Sequence, residues 1–358
     1  LQRQFCIHEQ EPKHQATELT EVTVVIPCYN SSATIAAAVA SALAQTIPVD
    51  VIVVDDGSSD DTVSKAQELA NANSRLTLLV QPGNQGPSAA RNRAVAAAKT
   101  SWIAILDADD YMHPDRIRRL LDAAKRFDLD FVADDLIRVS PGPAPETGTR
   151  LWSDYPIGMV ELDLARFARE NVATRTGMRR ELGFIKPLIR VEFLVAKAIR
   201  YNEQMRLGED YDLYARALHA GAHFAVIDPC GYYSVDYPNS LSRSYGANQI
   251  RHLVNTDQMI LQDANLPKPA RAAVREHKSF VLKDWAWVSM IEAVRTRNPL
   301  GMARSLATPP MVSWTTAIRC VRHVMGKAPI DEILINAPQA QLVETLLGHA
   351  LPADRSHT

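Results

Sequence analysis

The stretch Val49-Asp50-Val51-Ile52-Val53-Val54-Asp55-Asp56-Gly57-Ser58-Ser59-Asp60-Asp61-Thr62 decides how the chain is read. A run dominated by β-branched residues ends in paired carboxylates, then a glycine, then serines and aspartates that suit the start of a helix. A strand that is apolar almost throughout is buried on both faces, as in a parallel sheet covered by helices. The same order recurs on either side. Residues 21–27 (EVTVVIP) predict a strand and 34–45 an Ala-rich helix; 75–81 (RLTLLVQ) predict a strand and 87–99 a helix; 102–107 (WIAILD) predict a strand and 114–127 a helix. Repeated strand–helix units point to an α/β fold, Rossmann-like, with a mainly parallel sheet and helices on both faces. In such sheets ligands bind beyond the carboxyl ends of the strands.

Composition agrees with a soluble globular protein. The chain has 358 residues, 46% hydrophobic and 22% charged, which excludes disorder, collagen and coiled coil and leaves room for about two domains. Lys plus Arg is 39 against 41 for Asp plus Glu, so the net charge of −2 argues against a chain-wide nucleic-acid surface. Cys6, Cys28, Cys230 and Cys320 are scattered with no metal-ligand spacing and read as free thiols of a reducing compartment. Residues 1–20 form a polar leader without the apolar core of a signal peptide, and no apolar run is long enough to span a bilayer, so a cytoplasmic location is expected.

The strand ends carry the chemistry. They read Pro27-Cys28-Tyr29-Asn30, Asp55-Asp56-Gly57-Ser58 and Asp107-Ala108-Asp109-Asp110, and the topology converges them on one crevice. Five carboxylates there repel one another unless a cation or hydrogen-bond donors compensate. Asp107 and Asp109, one residue apart, can approach one hard cation such as Mg²⁺ or Mn²⁺. Asp110 and Asp115 have an alternative as caps of the helix near Pro114, an alternative preferred for Asp115; Ser59, Asp60 and Asp61 read as helix N-terminal residues. Asp56, directly after a buried strand, can accept a hydrogen bond from an imide N–H such as that of uracil. Arg91, early in its helix, can offset pyrophosphate charge, buttress the acidic cluster or form a salt bridge on the helix flank. Neither of the Gly-rich phosphate-loop patterns is present.

Beyond 140–149, a Pro- and Gly-rich break, the pattern resumes at Leu151 and runs through 184–194 to Gly208-Glu209-Asp210-Tyr211 at the head of a predicted helix. A strand is expected at 223–228, strand and turn at 232–243, and three to five helices after Ser244. These place a boundary near Tyr245. Residues 21–245 would form one domain, with halves at 21–139 and 150–245, and 246–358 a helical C-terminal region.

Taken together, PCYN, VDDGSSDDT, NQGPSAARN, LDADD and the later GED resemble the family 2 glycosyltransferases of the GT-A fold, of the bacterial surface-polysaccharide type. The resemblance spans about residues 22–242 and is specific in the combination. It implies a nucleotide-sugar donor, a divalent metal on its diphosphate, transfer with inversion, and a glycan or lipid-linked oligosaccharide acceptor. Carried over by position, Pro27 and Tyr29 lie against the nucleoside and Asp56 on the base. Asp107 with Ala108 lies near the ribose, Asp109 on the metal with Asp107 beside it, and Asp210 is the general base. Ser240 and Ser242 match a late motif near the diphosphate, although Tyr237 stands where many relatives carry His. UDP is the favoured nucleotide through Asp56.

Two other readings compete. A sugar-phosphate nucleotidyltransferase is disfavoured because it opens on a Gly- and Arg-rich loop, and a non-catalytic nucleotide-sugar-binding scaffold is disfavoured because Asp107, Asp109 and Asp210 are all present. Over 268–327, eleven bases face three acids. With Phe280, Trp285, Trp287, Met290 and Ile291 this segment reads either as a basic amphipathic face for peripheral contact with anionic lipid or, by a small margin, as the core of a helical appendage packed on the catalytic domain or on a second subunit of a homodimer.

Overall fold

A computed structural model describes residues 20–142, 148–172, 182–237 and 246–324. The first elements are β1 (Val22–Cys28), α1 (Ile35–Leu43), β2 (Val49–Asp55), α2 (Thr62–Ala72), β3 (Leu76–Val80), α3 (Pro87–Ala97) and β4 (Trp102–Ile105). Their alternation is the one expected from the apolar runs. Next come β5 (Tyr111–Met112), α4 (Arg116–Arg126), β6 (Phe131–Asp134), β7 (Ile137–Val139), β8 (Thr149–Arg150), β9 (Met159–Leu162), α5 (Leu164–Glu170), β10 (Leu188–Arg190), α6 (Val191–Ala196), α7 (Glu209–His219), β11 (Phe224–Ile227) and β12 (Tyr232–Val235). Helices α8 (Ala247–Leu261), α9 (Lys268–Arg295), α10 (Pro299–Leu306) and α11 (Pro310–Val324) follow.

The main sheet has eight strands in the order β3-β2-β1-β4-β10-β6-β11-β9. Strands β3, β2, β1 and β4 are mutually parallel, β10 runs antiparallel between β4 and β6, and β9 lies antiparallel on β11. The fold is therefore α/β with a mainly parallel sheet, and the crowded middle of β1 (Val24, Val25, Ile26) is wholly buried. A second sheet, β5-β12-β7-β8, stands beside it. Its strands are two to four residues long, too short for apolar periodicity to register in the sequence.

Three expectations about helix caps are corrected. Asp61 occupies the position before α2 but makes no capping bond; Asp60 accepts from the Thr62 N–H instead. Asp115 precedes α4 and likewise caps nothing, because Thr46 and Arg118 hold its carboxylate. Asp110 is no cap either: it is buried, accepting from the Tyr232 hydroxyl at 2.8 Å and the Val235 N–H at 2.8 Å, and so ties the end of β4 to the second sheet.

Behind the sheet, α8 and α9 reach the helix that carries Asp210. The Tyr211 hydroxyl donates to Asp257 Oδ1 at 2.7 Å, His277 Nδ1 lies 2.7 Å from Asp257 Oδ2, and the Thr256 hydroxyl donates to Asp212 Oδ1 at 2.6 Å. The Tyr211 ring stacks between His277 and Phe167. Trp287 and Met290 of α9 are buried, and Phe280, Trp285 and Ile291 are half-buried, so the aromatic run of this helix is packing surface. Among the described residues no helix is long and apolar enough to cross a membrane. Cys28 and Cys230 are buried free thiols and Cys320 is a half-buried one; Cys6 lies outside the described residues, as does the boundary expected near Tyr245.

Loss of the Asp257 carboxylate strands a buried tyrosine hydroxyl and an imidazole together. Asp257→Ala is expected to lower the unfolding free energy by about 3 kcal/mol and Tyr211→Phe by about 1 kcal/mol. Urea titration checks both, and an Asp257→Ala protein as stable as the parent would contradict the coupling of α7 to α8 and α9.

Candidate active site

The loops after β1, β2 and β4 meet as the topology requires. Asn30 Oδ1 accepts from the Ser59 N–H at 2.9 Å, and the Asn30 N–H donates to the Ser58 hydroxyl at 2.8 Å, which joins the first two loops. Gly57 between them has φ of +73°, and a Cβ there would stand 2.6 Å from Gly83 Cα, so only glycine lets the loop after β2 lie against the loop after β3. Asp55 closes this turn by accepting from the Gly57 and Ser58 N–H groups. Cys28, beneath it, is a thiol pushed well up by burial and by Asp55.

Asp56 is buried and faces the loop before α3. Its Oδ1 accepts from Gln81 Nε2 at 2.5 Å and the Gln85 N–H at 2.7 Å, and its Oδ2 from the Gly86 N–H at 2.8 Å. A carboxylate has about four acceptor positions, so capacity for one further donor is left on Oδ2. Pro27 is half-buried at the end of β1, and Tyr29 is exposed at the mouth of the same loop. Ser240 and Ser242 lie outside the described residues.

Arg91 lies within the acidic cluster. It is buried, with Nη2 2.9 Å from Asp107 Oδ1 and Nη1 2.5 Å from Glu209 Oε1 and 3.7 Å from Asp210 Oδ1. The flank salt bridge is thereby excluded, since the guanidinium points inward from α3. A second buried cation was not anticipated from the sequence. Lys186 Nζ stands 2.6 Å from Asp210 Oδ2 and 3.0 Å from Asp107 Oδ2, one ammonium touching both carboxylates. Its signal was a lone lysine inside the apolar run Phe184-Ile185-Lys186-Pro187-Leu188-Ile189, where a charge has no reason to be unless it is paired. Burial works against the charge on Asp107, yet Lys186 and Arg91 overcome it and hold the carboxyl at about 2.

Asp210 is therefore fixed through one oxygen. Oδ2 is bound by Lys186, whereas Oδ1 is buried without a hydrogen-bond partner. Gly208, before α7, has φ of +75°, and a Cβ there would meet Leu253 Cδ2 at 2.7 Å, so glycine lets the helix start against α8 and aim Glu209 and Asp210 at the cations. Tyr201, whose ring underlies the Arg91 guanidinium at 5.4 Å, has a buried hydroxyl that is also unpartnered.

Asp109 has the opposite environment to Asp107. Among the described residues it has no cationic hydrogen-bond partner, and burial together with the neighbouring Asp107 pushes its carboxyl up to about 6. A divalent cation would relieve that strain. Both Asp107 oxygens are engaged by Arg91 and Lys186, and Ala108 between the two acids is buried. Among the described residues no cluster of three or more His, Cys, Asp or Glu could hold a metal. What the residues offer a hard cation such as Mg²⁺ or Mn²⁺ is the Asp109 carboxylate with Asp107 beside it, a small set that substrate phosphates would have to complete.

A family model for glycosyl transferase family 2 matches residues 23–183. The succinoglycan biosynthesis protein ExoU of Rhizobium meliloti is 41% identical over 262 residues, 73% of this chain and 75% of ExoU. The chain belongs to glycosyl transferase family 2. Succinoglycan biosynthesis protein ExoO of the same organism is 32% identical over 82% of this chain and 83% of its own. Two solved structures share the GT-A fold: S. aureus TarS 1-349 in complex with UDP (TM-score 0.58, 18% identity, 95% of this chain and 94% of that one) and the mannosyltransferase PcManGT from Pyrobaculum calidifontis in complex with GDP-Man and Mn²⁺ (TM-score 0.53, 15% identity, 93% and 87%).

The raised carboxyl of Asp109 has a sign that can be measured. Held protonated to a higher pH in the folded protein than in the unfolded chain, it contributes stability that is present below about pH 4 and lost as pH rises through about 6. Without metal, Asp109→Asn is expected to be more stable than the parent at pH 8 by on the order of 1 kcal/mol, after allowance for its partial exposure, with no difference at pH 4. Thermal melts at the two pH values check this; equal shifts at both would contradict it.

Proposed function

We propose that this family 2 glycosyltransferase moves a sugar, with inversion and with Mg²⁺ or Mn²⁺, from a nucleotide-sugar donor to a hydroxyl of a glycan or lipid-linked oligosaccharide in bacterial exopolysaccharide synthesis. The observation that carries this reading is the Lys186 ammonium shared by Asp107 and Asp210. It puts the carboxylate at the end of β4, expected on the donor side, within one cation's width of the carboxylate expected to act on the acceptor. The acceptor class is supported by the succinoglycan proteins ExoU and ExoO. A UDP-hexose donor is supported by the acceptor position left on Asp56 Oδ2 and by the UDP held in TarS. The division into a catalytic part, 21–245, and a helical part, 246–358, is supported by strands confined to 22–235 among the described residues.

Inverting transfer requires a base on one face of the sugar and charge compensation for the departing diphosphate on the other. Asp210 Oδ1, buried and without a donor, is the free acceptor for the proton of the incoming hydroxyl. Lys186 on Oδ2 fixes the carboxylate plane, while Arg91 holds Glu209 out of competition by pairing with it. On the donor side Asp109, with Asp107 beside it, would hold the divalent ion, with Pro27, Tyr29, Asp56 and Ala108 around the nucleoside; Ser240 and Ser242, outside the described residues, enter the proposal for the diphosphate through their sequence motif alone. When bound, the ion neutralises charge growing on the leaving diphosphate, so no general acid is needed.

Asp210→Asn keeps the shape and the Lys186 contact but removes the base. Transfer is expected to fall by a factor of about 10² to 10⁴ while UDP still raises the melting temperature in Mn²⁺. Asp109→Asn is expected to abolish the Mn²⁺-dependent part of that UDP stabilisation. A base-site variant with undiminished turnover of a UDP-sugar panel, or UDP stabilisation indifferent to Mn²⁺ in the parent, would contradict the mechanism.

A further inference from the structure

Large apolar side chains are exposed at twelve described positions, and six of them, Val294, Leu300, Leu306, Met311, Trp314 and Val321, fall between residues 294 and 321. The others are scattered. In α11 the exposed Met311, Trp314 and Val321 recur at helical spacing with half-buried Ile318 between them, while Val312 and Thr316 on the opposite side are buried toward the rest of the protein. The helix thus packs through one side and, among the described residues, leaves three large apolar side chains exposed on the other.

The charge of this stretch is one-sided. From 294 to 321 there is no Asp or Glu, and Arg295, Arg297, Arg304 and Arg319 are all basic. Arg319 pairs with Asp284 at 3.2 Å, but Arg295, Arg297 and Arg304 are exposed and enter no ion pair among the described residues. Glu292, the acid nearest in sequence, is turned to the Ala247 N–H.

We propose that α10, α11 and the turn before them form a peripheral docking surface for an anionic lipid bilayer, with Trp314, Met311 and Leu300 entering the headgroup boundary and the three arginines meeting lipid phosphate. A second copy of the chain suits the surface poorly, because a two-fold contact through this stretch would bring it no acidic side chain from the same stretch of the partner. An anionic leaflet supplies the missing counter-charge and accepts tryptophan at its interface. Of the two readings of 268–327, the α9 aromatics follow the packing one, being buried or half-buried, and the lipid reading is kept for α10 and α11 alone. The inference is independent of the transferase reading, because it is tested without donor or acceptor.

The test is flotation of the full chain with phosphatidylcholine vesicles, with and without phosphatidylglycerol. Binding is expected only to the anionic vesicles and should fade as salt shortens the screening length from about 10 Å at 0.1 M to about 3 Å at 1 M. At about fivefold for each charge, the combined Arg295→Gln, Arg297→Gln and Arg304→Gln protein should bind about a hundredfold more weakly. Met311→Ser with Trp314→Ser should lose about tenfold at unchanged melting temperature. No flotation by the parent at low salt, flotation that neither variant alters, or a dimer in sedimentation that the serine variant dissociates would each overturn the proposal.

Discussion

Two buried cations hold the acidic end of the sheet together. Asp107, Glu209 and Asp210 arrive from the end of β4 and from α7, and Arg91 and Lys186 supply the positive charge that offsets the repulsion among the three carboxylates. Each cation is held on both sides: Arg91 over the Tyr201 ring, and Lys186 by a backbone whose carbonyl is gripped by the fully buried Arg116, itself paired with Asp134. The insertion of β10 between β4 and β6 is what delivers Lys186 to this point.

The same constraint explains why the C-terminal helices are not an appendage in energetic terms. Helix α7 offers Asp210 to the site from its first turn and Tyr211 and Asp212 to Asp257 and Thr256 of α8 from the next positions. Successive residues of one helical turn thus face the chemistry and the helical region, and His277 of α9 completes the polar contact behind them. Positioning of a base to a fraction of an ångström needs such support, since a carboxylate on a free helix end would sample many orientations.

Particular residues mark how far sequence reading reached. The strands β1 to β4 and the carboxylates at their ends were legible because a buried parallel strand writes itself as an apolar run and its ligand loop as the polar residues that stop it. Asp56, Asp107 and Asp109 stand at such strand ends, whereas Asp210, in the first turn of α7, was singled out through the spacing that resembles family 2. Asp115 was misread as a helix cap, and a cap stood as an alternative for Asp110, because a cap and a buried anchor between sheets both place an acid shortly before a helix. The α9 aromatics were ambiguous because an amphipathic pattern records that a face is apolar, not what covers it.

What the chain determines by itself is the order of strands and helices and the chemical types at the strand ends, both local properties written in period and punctuation. Which cations compensate which acids was decided only by the tertiary structure: Arg91 and Glu209 are separated by more than a hundred positions in sequence, and Lys186 meets Asp107 across the antiparallel β10. Tertiary packing likewise decided which apolar helix faces are interior. The physical reason is the same in both cases: pairing and burial depend on what lies opposite in space, and no local pattern encodes the opposite side.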